Sequence, residues 1–349
     1  MASEEKAHHR RAHYAGKYPK KYEEKYKERD PEKYADTVEH VIEKGSTPAG
    51  MHLPICVEEI LQFFEIRPGQ QGIDATLGYG GHTLEILKQL NGEGHLYALD
   101  IDPIESEKTK ERLRGQGYEE EILTVLHQNF ADVDQVVQTY GPMDFVLADL
   151  GVSSMQIDDP ARGFSYKADA PLDLRMNPEA GETAAERLKE MSKEEFIGML
   201  KENADEPYAK EIADAVFSYR KKGGETRTTT DLKKRIEDAL LFLPEKERAD
   251  AVKKSCQRTF QALRIDVNDE YESLYAFLSK LPDALKLGGK VAILSFHSGE
   301  DRLVKKAFKD GYKDGTYREI SKEVIRPTPA ECRRNPRAGS AKLRWAVKA

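Results

Sequence analysis

Long apolar runs are missing from this sequence and cysteine is scarce, and each shortage excludes a class of protein. No apolar run approaches the roughly 20 residues that a transmembrane helix needs, which excludes a membrane-spanning protein. The 3 cysteines, Cys56, Cys256 and Cys332, lie far apart, which argues against a disulfide framework or a cysteine-rich zinc site. The charged amino terminus is unlike a secretory signal, so we expect a cytoplasmic protein.

Charge is unevenly distributed along the 349 residues, of which 39% are hydrophobic and 34% charged. Residues 302–349 contain 14 Lys and Arg against 5 Asp and Glu, a net charge of +9 within a chain of net charge −7. A basic end on an acidic body suits a face that binds a polyanion such as nucleic acid. An ordinary solvated surface is the alternative.

Residues 1–47 differ in composition from the rest and form an amino-terminal extension. They are rich in Lys, Glu, His and Tyr and almost lack Leu, Ile and Val, so they cannot bury a core. Tyr14, Tyr18, Tyr22 and Tyr26 recur every four residues among lysines, a pattern suited to stacking on single-stranded RNA. A tail that packs against the body or stays disordered is the alternative.

From residue 48 onward, short apolar runs alternate with amphipathic stretches, which predicts an α/β fold. The first four runs start at intervals of 20 to 30 residues, the spacing of strand–helix units in a parallel sheet with helices on both faces. The fifth begins about 145 residues after the start of the fourth. The five predicted strands are 73–77, 96–101, 122–126, 145–150 and 291–296.

The sequence between the fourth and fifth runs has the pattern of helices, and we assign residues 160–255 to an inserted helical subdomain. Thr183 and Ser192 each stand three residues before a Glu, the pattern of a helix capping box. The sheet domain then comprises residues 48–159 and 256–349. Beyond the fifth strand we expect a helix at 301–308 and two short strands, 320–325 and 341–347.

A glycine-rich turn follows the first predicted strand and precedes a helix, the arrangement of a Rossmann-like ligand site. Asp100 ends the second strand, 22 residues after Gly78, where a carboxylate accepts hydrogen bonds from ribose hydroxyls. NAD, FAD and S-adenosylmethionine all suit such a site. Gly78-Tyr-Gly-Gly-His lacks the G-x-G-x-x-G spacing that cradles a pyrophosphate, which favours S-adenosylmethionine. Asp149, at the end of the fourth strand, should face the ligand or else cap the turn that follows.

Eight segments in order resemble one family, the ribosomal small-subunit RNA methyltransferase H or MraW-like family, from about residue 48 to the end. They are His52-Leu-Pro-Ile, Asp74-Ala-Thr-Leu-Gly-Tyr-Gly-Gly-His82, Asp149-Leu-Gly-Val-Ser-Ser-Met-Gln156, Arg162-Gly-Phe-Ser-Tyr166, Pro171-Leu-Asp-Leu-Arg-Met176, Arg258-Thr-Phe-Gln-Ala-Leu-Arg-Ile265, Ser295-Phe-His-Ser-Gly-Glu-Asp-Arg302 and Asn335-Pro-Arg-Ala-Gly-Ser-Ala-Lys-Leu-Arg344.

The resemblance implies a class I S-adenosylmethionine-dependent methyltransferase, with a Rossmann-like, mostly parallel sheet and a helical insertion after the fourth strand. It implies methylation of the N4 amine of a cytidine in 16S rRNA of the small ribosomal subunit, with S-adenosyl-L-methionine as cofactor. The cofactor-binding residues that it implies are Gly80, Gly81, His82, Asp100, Phe130, Asp149 and Gln156. Phe130 is placed to flank the adenine ring or, equally, to pack in the core.

The chemistry also needs a group near the amine and a surface for RNA. Asp149 is the first candidate to orient the amine and accept its proton, and His297 is the second. Phe164 and Tyr166 are placed to stack on an extruded base or, equally, to pin their loop. Candidates for phosphate contact are Arg175, Arg258, Arg264, Arg302, Arg337 and Arg344. No spaced set of metal ligands emerges, so we expect no metal, and the sequence leaves the oligomeric state open, a homodimer included.

The chain departs from the family pattern at four places and in its first 47 residues, which suits a paralogous branch. Gly299 replaces Leu, Gly339 replaces Arg, Asp205 stands in a usual Gly-Glu-Glu segment, and Asp266 replaces a bulkier residue. Two other functions stay open. One is methylation of another RNA, DNA or protein target, and the other is a non-catalytic RNA-binding role in ribosome assembly.

Overall fold

A seven-stranded sheet forms the centre of the computed structural model, which describes residues 54–153, 156–157 and 159–349. The strand order is β3-β2-β1-β4-β5-β7-β6. The strands are β1 (Gln71–Asp74), β2 (His95–Asp100), β3 (Leu123–His127), β4 (Met143–Asp149), β5 (Leu285–Ser295), β6 (Tyr317–Ile320) and β7 (Lys342–Lys348). The predictions for residues 1–47 fall outside the described residues.

Strands β1 to β5 are parallel, and β7 runs antiparallel between β5 and β6. Because β1 lies between β2 and β4, the chain reverses its direction of winding there, and the carboxyl ends of these three strands meet. The predicted fold class, α/β with a Rossmann-like and mostly parallel sheet, is confirmed. The strand predicted at 320–325 is wrong over most of its length: β6 ends at Ile320, and Ile325 forms only an isolated bridge with Leu343, since the exposed Lys322 and Glu323 interrupt the run. Strands β1 and β5 begin earlier than predicted, at Gln71 and Leu285, and β1 ends at Asp74.

Helices cover both faces of the sheet, each over its own apolar core. One face carries α1 (Val57–Phe64), α2 (Gly81–Leu90) and α3 (Pro103–Gly115). The other carries α4 (Val133–Tyr140), and the later α10 (Glu270–Ala284) and α11 (Ser298–Lys313). Among the described residues, no helix is both long and apolar enough to span a bilayer.

Five consecutive helices between β4 and β5 share a third core, built from buried residues between Phe164 and Leu263. They are α5 (Ala184–Glu190), α6 (Lys193–Ala204), α7 (Ala209–Lys221), α8 (Thr229–Ala239) and α9 (Glu245–Val267). Capping boxes at Thr183 and Ser192 begin α5 and α6, as the sequence pattern predicts. The predicted boundary at residue 255 falls inside α9, so the limits of the subdomain stay a prediction. A short α12 (Pro329–Arg334) follows β6.

Candidate active site

The turn from β1 into α2 is held by the end of β2. Asp100 Oδ2 accepts a hydrogen bond from the backbone N–H of Gly78 at 2.7 Å, and its Oδ1 accepts from Asp102 N at 2.8 Å. Gly78 and Gly80 both have positive φ angles, 47° and 64°, which glycine adopts without strain. The residue predicted to bind ribose therefore also fixes the glycine turn.

A cavity opens beside this turn, at the carboxyl ends of β1, β2 and β4, and we call it the first cavity. Asp100, Phe130 and Gln156 line it, as do Gly78 and Gly151. Further lining residues include Thr76, Ile101, Asn129, Met176, Asn268, Glu270, Ser273 and Glu300. Three of the seven predicted cofactor residues thus border one cavity.

Gly80, Gly81 and His82 do not line the first cavity but pack the start of α2. A side-chain carbon at Gly80 would lie 2.8 Å from Thr109 Cγ2, and one at Gly81 would lie 3.1 Å from Pro54. The buried His82 has its Nε2 2.9 Å from the carbonyl oxygen of Ile55. Each of these three residues packs against a neighbouring part of the chain. Their direct contact with the cofactor stays a prediction.

Burial raises the pKa of Asp100 to about 6, although the backbone N–H groups of Asp102 and Gly78 lower it. The carboxylate is ionised at neutral pH and each of its oxygens retains acceptor capacity after one backbone hydrogen bond. It is therefore suited to accept hydrogen bonds from two neighbouring hydroxyl groups.

The fully buried Asp102 anchors the loop that follows β4, a role that the sequence reasoning missed. Its Oδ2 lies 2.8 Å from Arg162 Nη1 and accepts from Gln156 Nε2 at 3.0 Å. Its Oδ1 accepts from the first N–H groups of α3. In the sequence, the signal for this role was a second aspartate two positions after Asp100, just past the end of β2.

Asp149 lies at the end of β4 and contacts His82 rather than the cavity. Its Oδ2 is 3.5 Å from His82 Nδ1, and its Oδ1 is buried without a hydrogen-bond partner in the described residues. Burial raises the pKa of Asp149 to about 6, and the nearby carboxylates of Asp74 and Glu300 raise it further while His82 lowers it. Asp149 is absent from the lining of both cavities described here.

A second cavity adjoins the first and is lined by four of the eight residues predicted to contact RNA. His297, Phe164, Tyr166, Arg264 and Arg337 line it. The side chain of Phe164 is 9% exposed, and the Tyr166 ring stands edge-on to Phe260 with centroids 5.6 Å apart. Two residues, Gly151 and Glu300, appear in the lining of both cavities.

The six predicted phosphate-binding arginines differ in exposure. Arg337 is exposed, Arg302 has 71% of its side chain exposed, and Arg258 has 37%. Arg175 is paired with Asp173 through two hydrogen bonds of 2.8 Å.

Arg264 and Arg344 have internal acidic partners. Arg264 donates to both carboxylate oxygens of Glu270 at 2.7 and 2.9 Å, and Arg344 Nε donates to Asp301 at 2.7 Å. The Arg344 side chain is only 8% exposed, so we now assign it a structural role.

Glu270, His297 and Glu300 each offer an atom within 4.8 Å of the others, the kind of group that also ligates metals. Arg264 already supplies positive charge there through its paired hydrogen bonds to Glu270. The expectation that no metal is needed stays a prediction.

The departures from the family pattern have local explanations in three of four cases. A side-chain carbon at Gly299 would lie 1.9 Å from the Tyr271 hydroxyl, so glycine leaves room for that ring. Asp205 ends α6 in the left-handed conformation, with φ 49°, and Asp266 accepts from Arg187 Nε at 2.9 Å. Nothing in the structure explains Gly339.

Comparisons with known proteins identify the family of this chain. The sequence profile of the MraW methylase family matches residues 49–349. The ribosomal RNA small subunit methyltransferase H 1 of Agathobacter rectalis is 63% identical over 347 residues, 99% of this chain and 99% of the relative. The ribosomal RNA small subunit methyltransferase H 2 of Alkaliphilus metalliredigens is 61% identical over 349 residues, 100% of both chains. The crystal structure of an rRNA methylase from Streptococcus thermophilus aligns at 12% identity with a TM-score of 0.40, covering 85% of this chain and 99% of that chain.

The amino-terminal extension is shared with near relatives. It lies outside the family profile, which begins at residue 49, but inside the full-length alignment with the Alkaliphilus protein. The extension is therefore not peculiar to this chain.

Proposed function

Because this chain belongs to the MraW methylase family and its cofactor is S-adenosyl-L-methionine, we propose that it methylates the N4 amine of a cytidine in 16S rRNA of the small ribosomal subunit. The observation that carries the proposal is the meeting of two cavities, one at the glycine turn and one lined by aromatic and basic residues, at Gly151 and Glu300. The names of the Agathobacter and Alkaliphilus relatives support small-subunit rRNA as the substrate.

The first cavity suits the methyl donor. Asp100 would accept hydrogen bonds from the ribose hydroxyls, and the Phe130 ring, which packs edge-on against Phe277 at 5.3 Å, would flank the adenine. Gln156 borders the same cavity while it is held by Asp102. The donor supplies an electrophilic methyl group on a sulfonium.

The second cavity suits a base removed from its stack. Phe164 and Tyr166 present aromatic rings, and Arg337 presents an exposed positive charge at the rim for phosphate. An aromatic wall with a cationic edge favours a nucleotide over a peptide side chain.

Methyl transfer to this amine needs positioning more than activation by a covalent intermediate. The lone pair of the cytosine amine is delocalised into the ring, so in-line alignment of nitrogen, methyl carbon and sulfur provides much of the rate. A nearby acceptor then takes the amine proton as positive charge develops on nitrogen. Asp149 and His297 are candidates for that acceptor.

The experiment that tests the proposal is mass spectrometry of 16S rRNA nucleosides from a strain that lacks this protein. We expect loss of one N4-methylcytidine, restored by the wild-type chain but not by Asp100→Ala. Loss of a different methylated residue would assign another substrate, and an unchanged nucleoside profile would favour a non-catalytic role in assembly.

A further inference from the structure

Glu300 stands where the two cavities meet. It belongs to the first turn of α11, and its side chain is 4% exposed to solvent. The other residue common to both linings is Gly151, which has no side chain. Among the described residues that line the two cavities, Glu300 is therefore the one whose side chain borders both.

The Glu300 carboxylate is held by two neighbours that leave it charged. Oε2 accepts from the backbone N–H of Phe296 at 3.0 Å, and Oε1 lies 3.1 Å from His297 Nε2. Burial opposes ionisation, but His297, the N–H of Phe296 and the charge of Arg264 outweigh it and lower the pKa of Glu300. The start of α11 adds a favourable field for an anion. Glu300 is thus a preformed acceptor at neutral pH.

We propose that Glu300 is a catalytic residue that accepts a hydrogen bond and then the proton from the substrate amine, a role that rests on the proposed function. The hydrogen bond from one N4–H to the carboxylate would turn the nitrogen lone pair toward the first cavity. As the bond from nitrogen to the methyl carbon forms, the bond from that carbon to sulfur breaks and its electron pair stays on sulfur. The proton leaves the positively charged nitrogen for the Glu300 carboxylate, whose Oε1 lies 3.1 Å from His297 Nε2.

An acidic carboxylate is sufficient for this step because the methylated, protonated amine of cytosine is itself strongly acidic. The proton therefore moves downhill even to a carboxylate whose pKa is lowered. The negative charge of Glu300, whose side chain is 4% exposed, also balances the charge that develops on nitrogen. Asp149 is less suited, since it lines neither cavity and its carboxylate contacts His82.

The test is Glu300→Gln in the full chain, which preserves the size of the side chain and its hydrogen bond to Phe296. Single-turnover transfer of labelled methyl groups to small subunits from the deletion strain gives the rate, and calorimetry gives cofactor affinity. We expect the rate to fall by about 10²–10⁴-fold while the affinity changes less than about threefold. Glu300→Asp, which keeps the charge, should recover part of the rate.

Glu272→Gln is the matched control, because Glu272 is exposed on α10 and lines neither cavity, and it should leave the rate unchanged. A Glu300→Gln rate near that of wild type would overturn the proposal, as would a fall explained wholly by weaker cofactor binding. If Glu300→Gln does not fold, Glu300→Asp serves instead, because it keeps the charge but withdraws the carboxylate by one methylene group. A reduced rate in this variant would then support the proposal, and a wild-type rate would count against it. If wild type itself leaves the cytidine amine unmethylated, the proposed function fails instead.

Discussion

Three carboxylates near the carboxyl ends of the strands have the same chemistry in isolation and different surroundings in the fold. Asp100 is satisfied by backbone N–H groups, Asp149 has an oxygen without a partner in the described residues, and Glu300 has His297 beside it. Burial raises the pKa of Asp100 and Asp149, while the neighbours of Glu300 lower its pKa. Their surroundings thus differ, and the direction in which the pKa of each carboxyl group is shifted differs with them.

Replacement of Asp100 by alanine should abolish detectable binding of S-adenosylmethionine in calorimetry. The substitution removes the acceptor for ribose and releases the N–H groups of Gly78 and Asp102. Glu107→Ala, the same loss of charge on the exposed face of α3, should bind like wild type. Wild-type affinity in Asp100→Ala would refute the ribose assignment.

Cofactor affinity should also depend on the ionisation of Asp100, whose pKa burial raises to about 6. Only the ionised group accepts on both oxygens, so binding is strong above pH 6 and weakens as pH falls. The apparent Kd should rise about tenfold between pH 7 and pH 5. Asp149→Asn should keep this profile, because it removes the other carboxylate that titrates near pH 6. A flat profile in both proteins would contradict the prediction.

Asp149→Asn should stabilise the fold at pH 8. The folded pKa of Asp149 is raised from 3.8 to about 6, so the wild-type protein loses stability as pH rises through that interval. The asparagine avoids this cost, and the free energy of unfolding in urea should rise by about 1–3 kcal/mol at pH 8. The gain should shrink toward pH 4, where the folded aspartate is protonated and the cost of burying its charge is absent. An equal effect at both pH values would show that charge is not the cause.

At the scale of elements, the junction of β1 and α2 depends on a close approach between the glycine turn and α3. Gly80 has a φ of 64° and lies against Thr109 and Leu113 of α3. The two elements belong to successive strand–helix units, so the turn couples their packing.

Gly80→Ala should lower the free energy of unfolding by about 2–4 kcal/mol, the sum of left-handed strain and overpacking. Gly117→Ala is the control, since Gly117 also has a positive φ, 90°, but a side-chain carbon there meets nothing within 4 Å. It should cost only about 1–2 kcal/mol, the strain alone. Equal losses in urea unfolding would show that the contact with α3 is unimportant.

At the scale of the whole molecule, the basic carboxyl-terminal segment divides between internal ion pairs and the rim of the second cavity. Arg344 on β7 pairs with Asp301 of α11, whereas Arg337 is exposed beside the second cavity. A net charge of +9 in residues 302–349 thus overstates the charge available to a nucleic acid.

Arg337→Ala and Arg344→Ala should therefore have opposite signatures. In a potassium chloride series, Arg337→Ala should reduce the slope of log binding constant against log salt for small-subunit RNA by about 1. Arg344→Ala should leave the slope unchanged and lower the free energy of unfolding by about 3–5 kcal/mol, since it leaves Asp301 without its buried partner. A reduced salt slope for Arg344→Ala with an unchanged slope for Arg337→Ala would instead assign the phosphate contact to Arg344.

The five parallel strands, the two capping boxes and the glycine turn were all predictable from the sequence, since each depends on residues a few positions apart. The strand predicted at 320–325 was only partly right, because pairing with β7 decides where β6 ends. For the candidate site, motif order identified the family and placed Asp100, Phe130 and Gln156 at one cavity. It missed Asp102, whose partner Arg162 lies 60 positions further along the chain.

The sequence by itself determined that this protein is an α/β methylase with a glycine turn and an acidic residue after the second strand. Local hydrogen bonding and the alternation of apolar runs encode those features directly. Only the tertiary structure decided that Glu300 borders both cavities, that Arg264 and Arg344 face acidic partners, and that His82 packs against Asp149. Those outcomes depend on distances between separate elements, and the packing of helices on the sheet sets these distances.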